Sequence, residues 1–420
     1  MTILIKAAEI IDPNSSYNGK KRNILIENGV IWKISEINHK ADRVIEGDRL
    51  VVSPGWFDMR ASINDPGFEH KEDITTVARA AAAGGFTELA SLPNTQPIVQ
   101  SKDVIAYIKQ KASHTLVDIH PMAAVSLGTK GEEMTEMIDL HHAGAVAFSD
   151  GKSTIWHSDL FLKSLQYLQT FDGVLINRPF DRQLVVGGQM NEGKTSTMLG
   201  LKGLPKVAEE VVVERDLRLL EYTGGRLHIS LVSSPVSLDF IREAKKKGLN
   251  VTCDISANLL CLDDSLLSGF DTNYKVNPPL RSKEDITQFW KALNDDTIDA
   301  IVTDHSPQDE ESKNLEFDLA AFGIIGLETA FALLNSTNKR LRLEKLISKI
   351  SYNPREILKI NHPVIEEGQA ANITIFDPEA EWTFTHNHIQ SRSKNTPFVG
   401  KKFKGKVVGV LNKGLNHFNN

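Results

Sequence analysis

PGWFDMRASINDPGFEHKEDITTVARAAAAGGFTELASLPNTQP, residues 54–97, reads as strand, helix and strand in succession. An apolar run opens it at 55–59, the Ala-rich TTVARAAAA has the composition of a good helix, Gly84-Gly85 supplies a C-terminal cap, and residues 88–92 return to a strand. This is one βα unit. Outward from it, apolar strand-like runs of the same kind stand at 117–125, 145–149, 174–177, 226–232, 250–255 and 298–303, which with the first two makes eight. Eight is the number that a (β/α)8 TIM barrel needs. An open doubly wound sheet would show the same alternation. Polar residues gather where the runs end, at Asp58, Asn94, Asp150, Asn177, Asp254 and Asp304, and in a barrel those positions open onto the catalytic face.

On either side of this α/β middle the texture changes. Residues 2–52 carry short alternating runs (ILIKAAEIID, NILIENGVIWKISEI, RVIEGDRLVVS), with Asn28-Gly29 offering hairpin chemistry between two of them. A similar texture returns over 370–411 in ANITIFDP, EWTFTH and GKVVGVLNKG. We therefore predict a barrel over residues 53–359 and a small β-sandwich domain completed by residues 1–52 and 360–420.

A chain of 420 residues is long enough for a large barrel with such an accessory domain. Its 41% hydrophobic and 24% charged residues are those of a globular protein, and a net charge of -6 leaves no basic footprint for nucleic acid. Cys253 and Cys261 stand eight residues apart without a CxxC pair, which fits a reducing compartment and argues against a zinc finger. Lys6 and Glu9 interrupt the first apolar run before a signal-peptide core forms, and no stretch approaches membrane-spanning length. A cytoplasmic location with no membrane partner is expected.

One motif is a decoy. Residues 188–195, GQMNEGKT, satisfy the phosphate-loop pattern, but DRQLVVGG before them is not a clean strand, and Gly200, Gly203 and Pro205 break the helix that should follow. The histidines carry little chemistry by spacing alone: His141-His142 ends a helix-like stretch at Gly144, and His114, His120 and His157 stand apart, so surface or capping roles are the default.

The stretch 54–97 resembles the opening signature of the dihydroorotases and related cyclic amidohydrolases. MNEGKTSTMLGLKGLPKVAEE, VTCDISANLL, YKVNPPLR, IDAIVTDHSP, FGIIGLETA, SYNPREIL, EEGQAANITIFDP and KNTPFVGKKFKGKV resemble further segments of that family in its own order. In the family the first barrel strand ends in Asp-x-His-x-His-x-Arg, the imidazoles binding zinc and the Arg holding a substrate carboxylate. Here those slots read Asp58, Met59, Arg60, Ala61, Ser62, Ile63 and Asn64. By the same resemblance the third histidine slot falls on Arg178 and the fourth on Leu231, with His228 three residues earlier read as a core residue. The bridging carboxylate is assigned to Asp150, in a register uncertain by one residue, and Asp304 keeps the place of the last ligand and proton shuttle. Asn94 and Asn277 match substrate-contacting positions, Asn64 and Gln308 replace two others, and Ala257 and Asn258 stand where relatives carry histidines.

Two carboxylates without imidazoles would not hold zinc tightly, since catalytic zinc takes about three protein ligands plus water. No cofactor is therefore expected. Arg60 and Arg178 are expected to pair with Asp150 and Asp304, substituting the charge of a metal without its chemistry. The resemblance implies a catalytically silent homologue, a homodimer kept for assembly or regulation beside aspartate carbamoyltransferase. The alternatives are a working cyclic amidohydrolase with an atypical zinc site, and a binding protein that holds a pyrimidine precursor without cleaving it.

Overall fold

In the computed structural model, residues 1–338 and 341–419 are described. The N-terminal segment folds as β1 (Thr2–Ile10), β2 (Lys21–Glu27), β3 (Val30–Ser35), β4 (Arg43–Ile45) and β5 (Val51–Pro54). Asn28 and Gly29, at φ of 49° and 79°, make the two left-handed turn positions that join β2 to β3, as their sequence predicts. The chain then runs through β6 (Trp56–Ala61), β7 (Phe86–Ser91), β8 (Asp118–Pro121), β9 (Phe148–Ser149) and β10 (Leu175–Asn177). After a short excursion, β11 (Met190–Asn191) and β12 (Gly203–Leu204), come β13 (Leu227–Ile229), β14 (Val251–Ser256) and β15 (Ala300–Val302). The last strands are β16 (Ile373–Thr383), β17 (Lys402–Asn412) and β18 (Leu415–Phe418).

Strands β6, β7 and β8 pair in parallel, as do β9, β10, β13, β14 and β15 in their own set. Bridges from Ala123 to Phe148 and from Ala61 to His305 join the two sets into a ring, so the barrel, not the open sheet, is the architecture. Each of the eight runs read from the sequence overlaps one of these strands, with β6, β7 and β14 extending beyond their runs by one or two residues. Phe57, Met59, Ala90, Met122, Ile176, Leu231, Ala300 and Val302 fill the interior. Strands from both chain ends share one sheet in the order β18-β17-β16-β5-β1-β2-β3, with β4 beside β1, and its inner residues, Ile3, Ile24, Val52 and Ile373 among them, form a separate core. Among the described residues no helix is long and apolar enough to cross a membrane.

The helix Ile74–Ala83 shows why the opening stretch folds as it does. Asp73 caps its N-terminus by accepting from the amides of Thr75 and Thr76, and Ile74, Val77 and the alanines at 78 and 80–82 form its buried face. Small side chains let the helix lie close to β7 and β17. At its end Gly85, at φ 96°, turns the chain into β7, and a Cβ there would stand 2.5 Å from the Trp56 indole. Gly85→Ala is expected to destabilise the chain by about 2–3 kcal/mol through backbone strain and overpacking, read as a lowered urea midpoint.

The phosphate-loop pattern is absorbed by structure. A two-residue strand precedes Gly193, the helix Lys194–Leu199 ends at left-handed Gly200, and the Thr195 hydroxyl and Asn191 amide turn to the Asp264 carboxylate, which would repel a phosphate.

Candidate active site at the barrel mouth

Asp58 closes the ring chemically as well as topologically. Its buried carboxylate on β6 accepts from the Thr303 amide at 3.0 Å and hydroxyl at 2.5 Å, at the end of β15, and from the Arg60 amide at 3.3 Å. Burial lifts its carboxyl to about 7 against these hydrogen bonds and the nearby His305. With the two strand ends tied, Arg60 and Asp304 meet across the mouth: Arg60 Nε donates to Asp304 Oδ1 at 3.0 Å, and both side chains are largely buried. The same guanidinium reaches Ser230 Oγ at 3.3 Å and the Gly151 carbonyl at 3.3 Å, so one side chain touches residues at the ends of β6, β15, β13 and β9.

Below it lies a satisfied polar layer. Asp254 accepts from Ser230 Oγ at 2.9 Å and the Leu231 amide at 2.7 Å, and is bonded at 2.8 Å to His228 Nε2, whose Nδ1 reaches Thr252. His228 is thus fully enclosed by protein partners.

Arg178, at the end of β10, is buried and donates through Nη1 to the Lys152 carbonyl at 2.9 Å, while its Nε has no partner. Burial and the repulsion of Arg60 hold its guanidinium down at about 10, against Asp304 and Glu209. Lys152 is held down at about 8 by burial, with Arg60, Lys71 and Arg178 opposing its charge and Asp304 favouring it. Asp304 in turn is pushed up by burial, while the pull of Arg60, Arg178 and Lys152 opposes that rise.

The positions singled out by sequence divide on these facts. Arg60 does pair with Asp304. The expected pairing of Arg178 with Asp150 or Asp304 is corrected: its hydrogen bond goes to a backbone carbonyl, because Asp304 is taken by Arg60 and Asp150 faces elsewhere. The Asp150 carboxylate accepts from the amides of Val125 and Ser126 at 3.1 and 2.9 Å and from the Ser126 hydroxyl at 2.5 Å, fastening the loop after β8. Two backbone donors and a hydroxyl outcompete the mouth for it. Asn94 is spent on the loop after β9, donating to the Asp150 carbonyl and accepting from the Lys152 amide. Asn64, at φ 57°, reaches only the Pro307 carbonyl, at 3.4 Å, and Gln308 bridges Lys71 and the Phe322 carbonyl. Ser62 is buried with an unpartnered hydroxyl, Leu231 packs in the barrel interior, and Asn277 is half-buried on its own loop.

Sequence reasoning missed Gly151 and Lys152. The available signal was the one-residue ambiguity in AFSDGK: shifting the register by one puts Gly151 at the mouth, where a Cβ would come within 2.0 Å of Asn94 Oδ1 and where Arg60 binds the carbonyl instead. Among the described residues, no group of three or more His, Cys, Asp or Glu is placed to hold a metal ion.

Residues 48–237 match the family described as dihydro-orotase-like, and residues 198–415 match the amidohydrolase family. The chain is 42% identical over 417 residues to a protein named dihydroorotase from Acetivibrio thermocellus, covering 98% of each. It is 41% identical to one from Syntrophus aciditrophicus, covering 99% of this chain and 98% of that one. Among solved structures, the L-hydantoinase (dihydropyrimidinase) of Arthrobacter aurescens superposes with a TM-score of 0.86 at 22% identity, covering 99% of this chain and 95% of that one. At that identity the superposition speaks for the barrel and its terminal sheet alone.

Proposed function

Because the chain belongs to the dihydroorotase-like family of amidohydrolases, we propose that it is a catalytically silent member, a homodimeric scaffold of pyrimidine biosynthesis that acts as a structural or regulatory partner of aspartate carbamoyltransferase. The observation that carries this reading is the Arg60–Asp304 ion pair across the barrel mouth. Zinc takes sulfur, imidazole or carboxylate donors. The side chains at the family's ligand slots are two guanidiniums, a hydroxyl and an isobutyl group at Arg60, Arg178, Ser62 and Leu231, with Asp150 committed to the loop after β8 and Asp304 committed to Arg60. This donor set does not fit zinc.

Hydrolysis of a cyclic amide needs an activated hydroxide. Without a metal, water keeps a pKa of about 15.7, and a lone general base contributes only roughly 10²–10⁴-fold. Asp304 is further handicapped as a base, since one of its oxygens accepts from Arg60 and the adjacent guanidinium charge opposes its protonation. Asn94, Asn64 and Gln308 hold loops rather than presenting free donors to a substrate, which supports the same reading.

The test is zinc analysis of the purified chain with a dihydroorotase assay, repeated after Arg60→His, Ser62→His, Arg178→His and Leu231→His together. Zinc well below one per chain and background turnover are expected, with zinc binding gained in the fourfold variant. Stoichiometric zinc with robust turnover in the unaltered chain overturns the proposal in favour of a second reading, a working cyclic amidohydrolase, which the 42% identity to a named dihydroorotase favours. Co-elution with aspartate carbamoyltransferase tests the partner.

A further inference from the structure

We infer that the barrel mouth binds a small ligand bearing an oxyanion, a carboxylate or a phosphate, held by Arg178 and Lys152. The inference rests on the reading of the mouth as a site without a divalent ion, and adds to it a ligand class. Four cations converge there: Arg60, Lys71, Lys152 and Arg178. Arg60 is taken by Asp304, and Lys71 by Gln308 at 2.8 Å with Asp309 at 3.9 Å. Two positive charges are left over. Arg178 is buried with its Nε facing no acceptor, and its one protein hydrogen bond goes to a neutral carbonyl. Lys152 feels Asp304, yet its ammonium makes neither a hydrogen bond nor an ion pair among the described residues. The other carboxylate that Arg178 feels, Glu209, is bound by the Ser233 amide and hydroxyl and faces Arg281.

The buried Arg178 guanidinium makes no ion pair of its own, a costly arrangement that the charge of a bound anion would relieve. Arg178 offers a planar fork matched to two oxygens of a carboxylate or phosphate, and Lys152 offers a point charge beside it. The Ser62 hydroxyl, just beyond the end of β6, is also buried with no partner and can donate to a third oxygen. A neutral cyclic amide would relieve none of this.

The test uses the full chain, treated with EDTA and exchanged into Hepes with sodium chloride, then titrated separately with inorganic phosphate and with succinate. Melting temperature and isothermal calorimetry are the readouts. At least one anion is expected to raise Tm by roughly 3–5 °C at a hundredfold excess over its Kd. Arg178→Gln and Lys152→Gln are each expected to weaken that binding about tenfold or more. Arg178→Lys, which keeps the charge but loses the fork, gives an intermediate loss and covers the case in which Arg178→Gln does not fold. A response to phosphate alone names a phosphate ligand, and one to succinate alone a carboxylate. No response beyond that of sodium chloride at equal ionic strength, or variants that bind like the parent, overturn the inference. Metal content of the same sample separates the two readings: a zinc-poor chain with no anion response overturns the anion site alone, whereas stoichiometric zinc overturns both.

Discussion

Asp304→Ala is expected to lower stability by about 3–5 kcal/mol, although in a working enzyme the matching substitution would be expected to cost activity and spare the fold. The reason is the Arg60 guanidinium, which is 3% exposed and would be left without its carboxylate. The intact pair stabilises the fold only modestly, because burial already works against the charged form of Asp304. Removing one member strands the other, and that is where the loss arises. The double variant Arg60→Met with Asp304→Leu is therefore expected to recover most of it. Urea denaturation of the single and double variants measures the coupling directly; equal losses in Asp304→Ala and the double variant would remove the ion pair from the account.

Arg355→Met carries the second large effect, at the far end of the barrel. Arg355 Nη2 donates to Glu88 Oε1 at 2.6 Å, Asn372 to the same oxygen at 3.0 Å, and His120 shares the other at 3.0 Å. Glu88 lies on β7 and Asn372 just ahead of β16, so the cluster fastens the barrel to the terminal sheet. Burial would raise the Glu88 carboxyl, but the His120 hydrogen bond and the Arg355 charge bring it down to about 2. Loss of Arg355 is expected to cost about 3–5 kcal/mol at neutral pH. The folded value lies below the unfolded one of about 4.3, so this carboxylate stabilises the fold above that pH and the contribution fades as pH falls towards 2. In Arg355→Met the part of the shift that Arg355 supplies is gone, while the His120 hydrogen bond remains. The stability gap between parent and variant should then narrow between pH 5 and 2, as read from Tm across that range; a constant gap would assign the loss to packing.

Much of the scaffold was legible because it depends on periodicity and turn chemistry. Eight apolar runs, the alanine face of Ile74–Ala83 and the Asn28-Gly29 turn each declare themselves within a dozen residues. The mouth was legible only as a set of positions. Asp150 stands at a strand end, as expected, yet which way its carboxylate points is decided by the amides of Val125 and Ser126, contributed by the preceding strand and loop. Arg60 found its expected partner because Asp58 draws β6 and β15 together. Arg178 did not, since Asp304 is taken by Arg60 and Asp150 by those two amides. Lys152 went unnoticed because nothing in AFSDGK marks it until the loop brings its charge within the influence of Asp304, Arg60 and Arg178.

In the terminal sheet β5 lies between β1 and β16, with Ile373 to Phe376 paired against Val51 to Pro54. On a translating ribosome the first half of that sheet leaves the exit tunnel roughly 300 residues ahead of its pairing strand. At bacterial or eukaryotic elongation rates the wait lasts roughly 15–60 s. For that interval an apolar ribbon with an open edge is available to any other nascent chain, which makes chaperone cover during synthesis, more than equilibrium stability, the condition for a good yield of this protein.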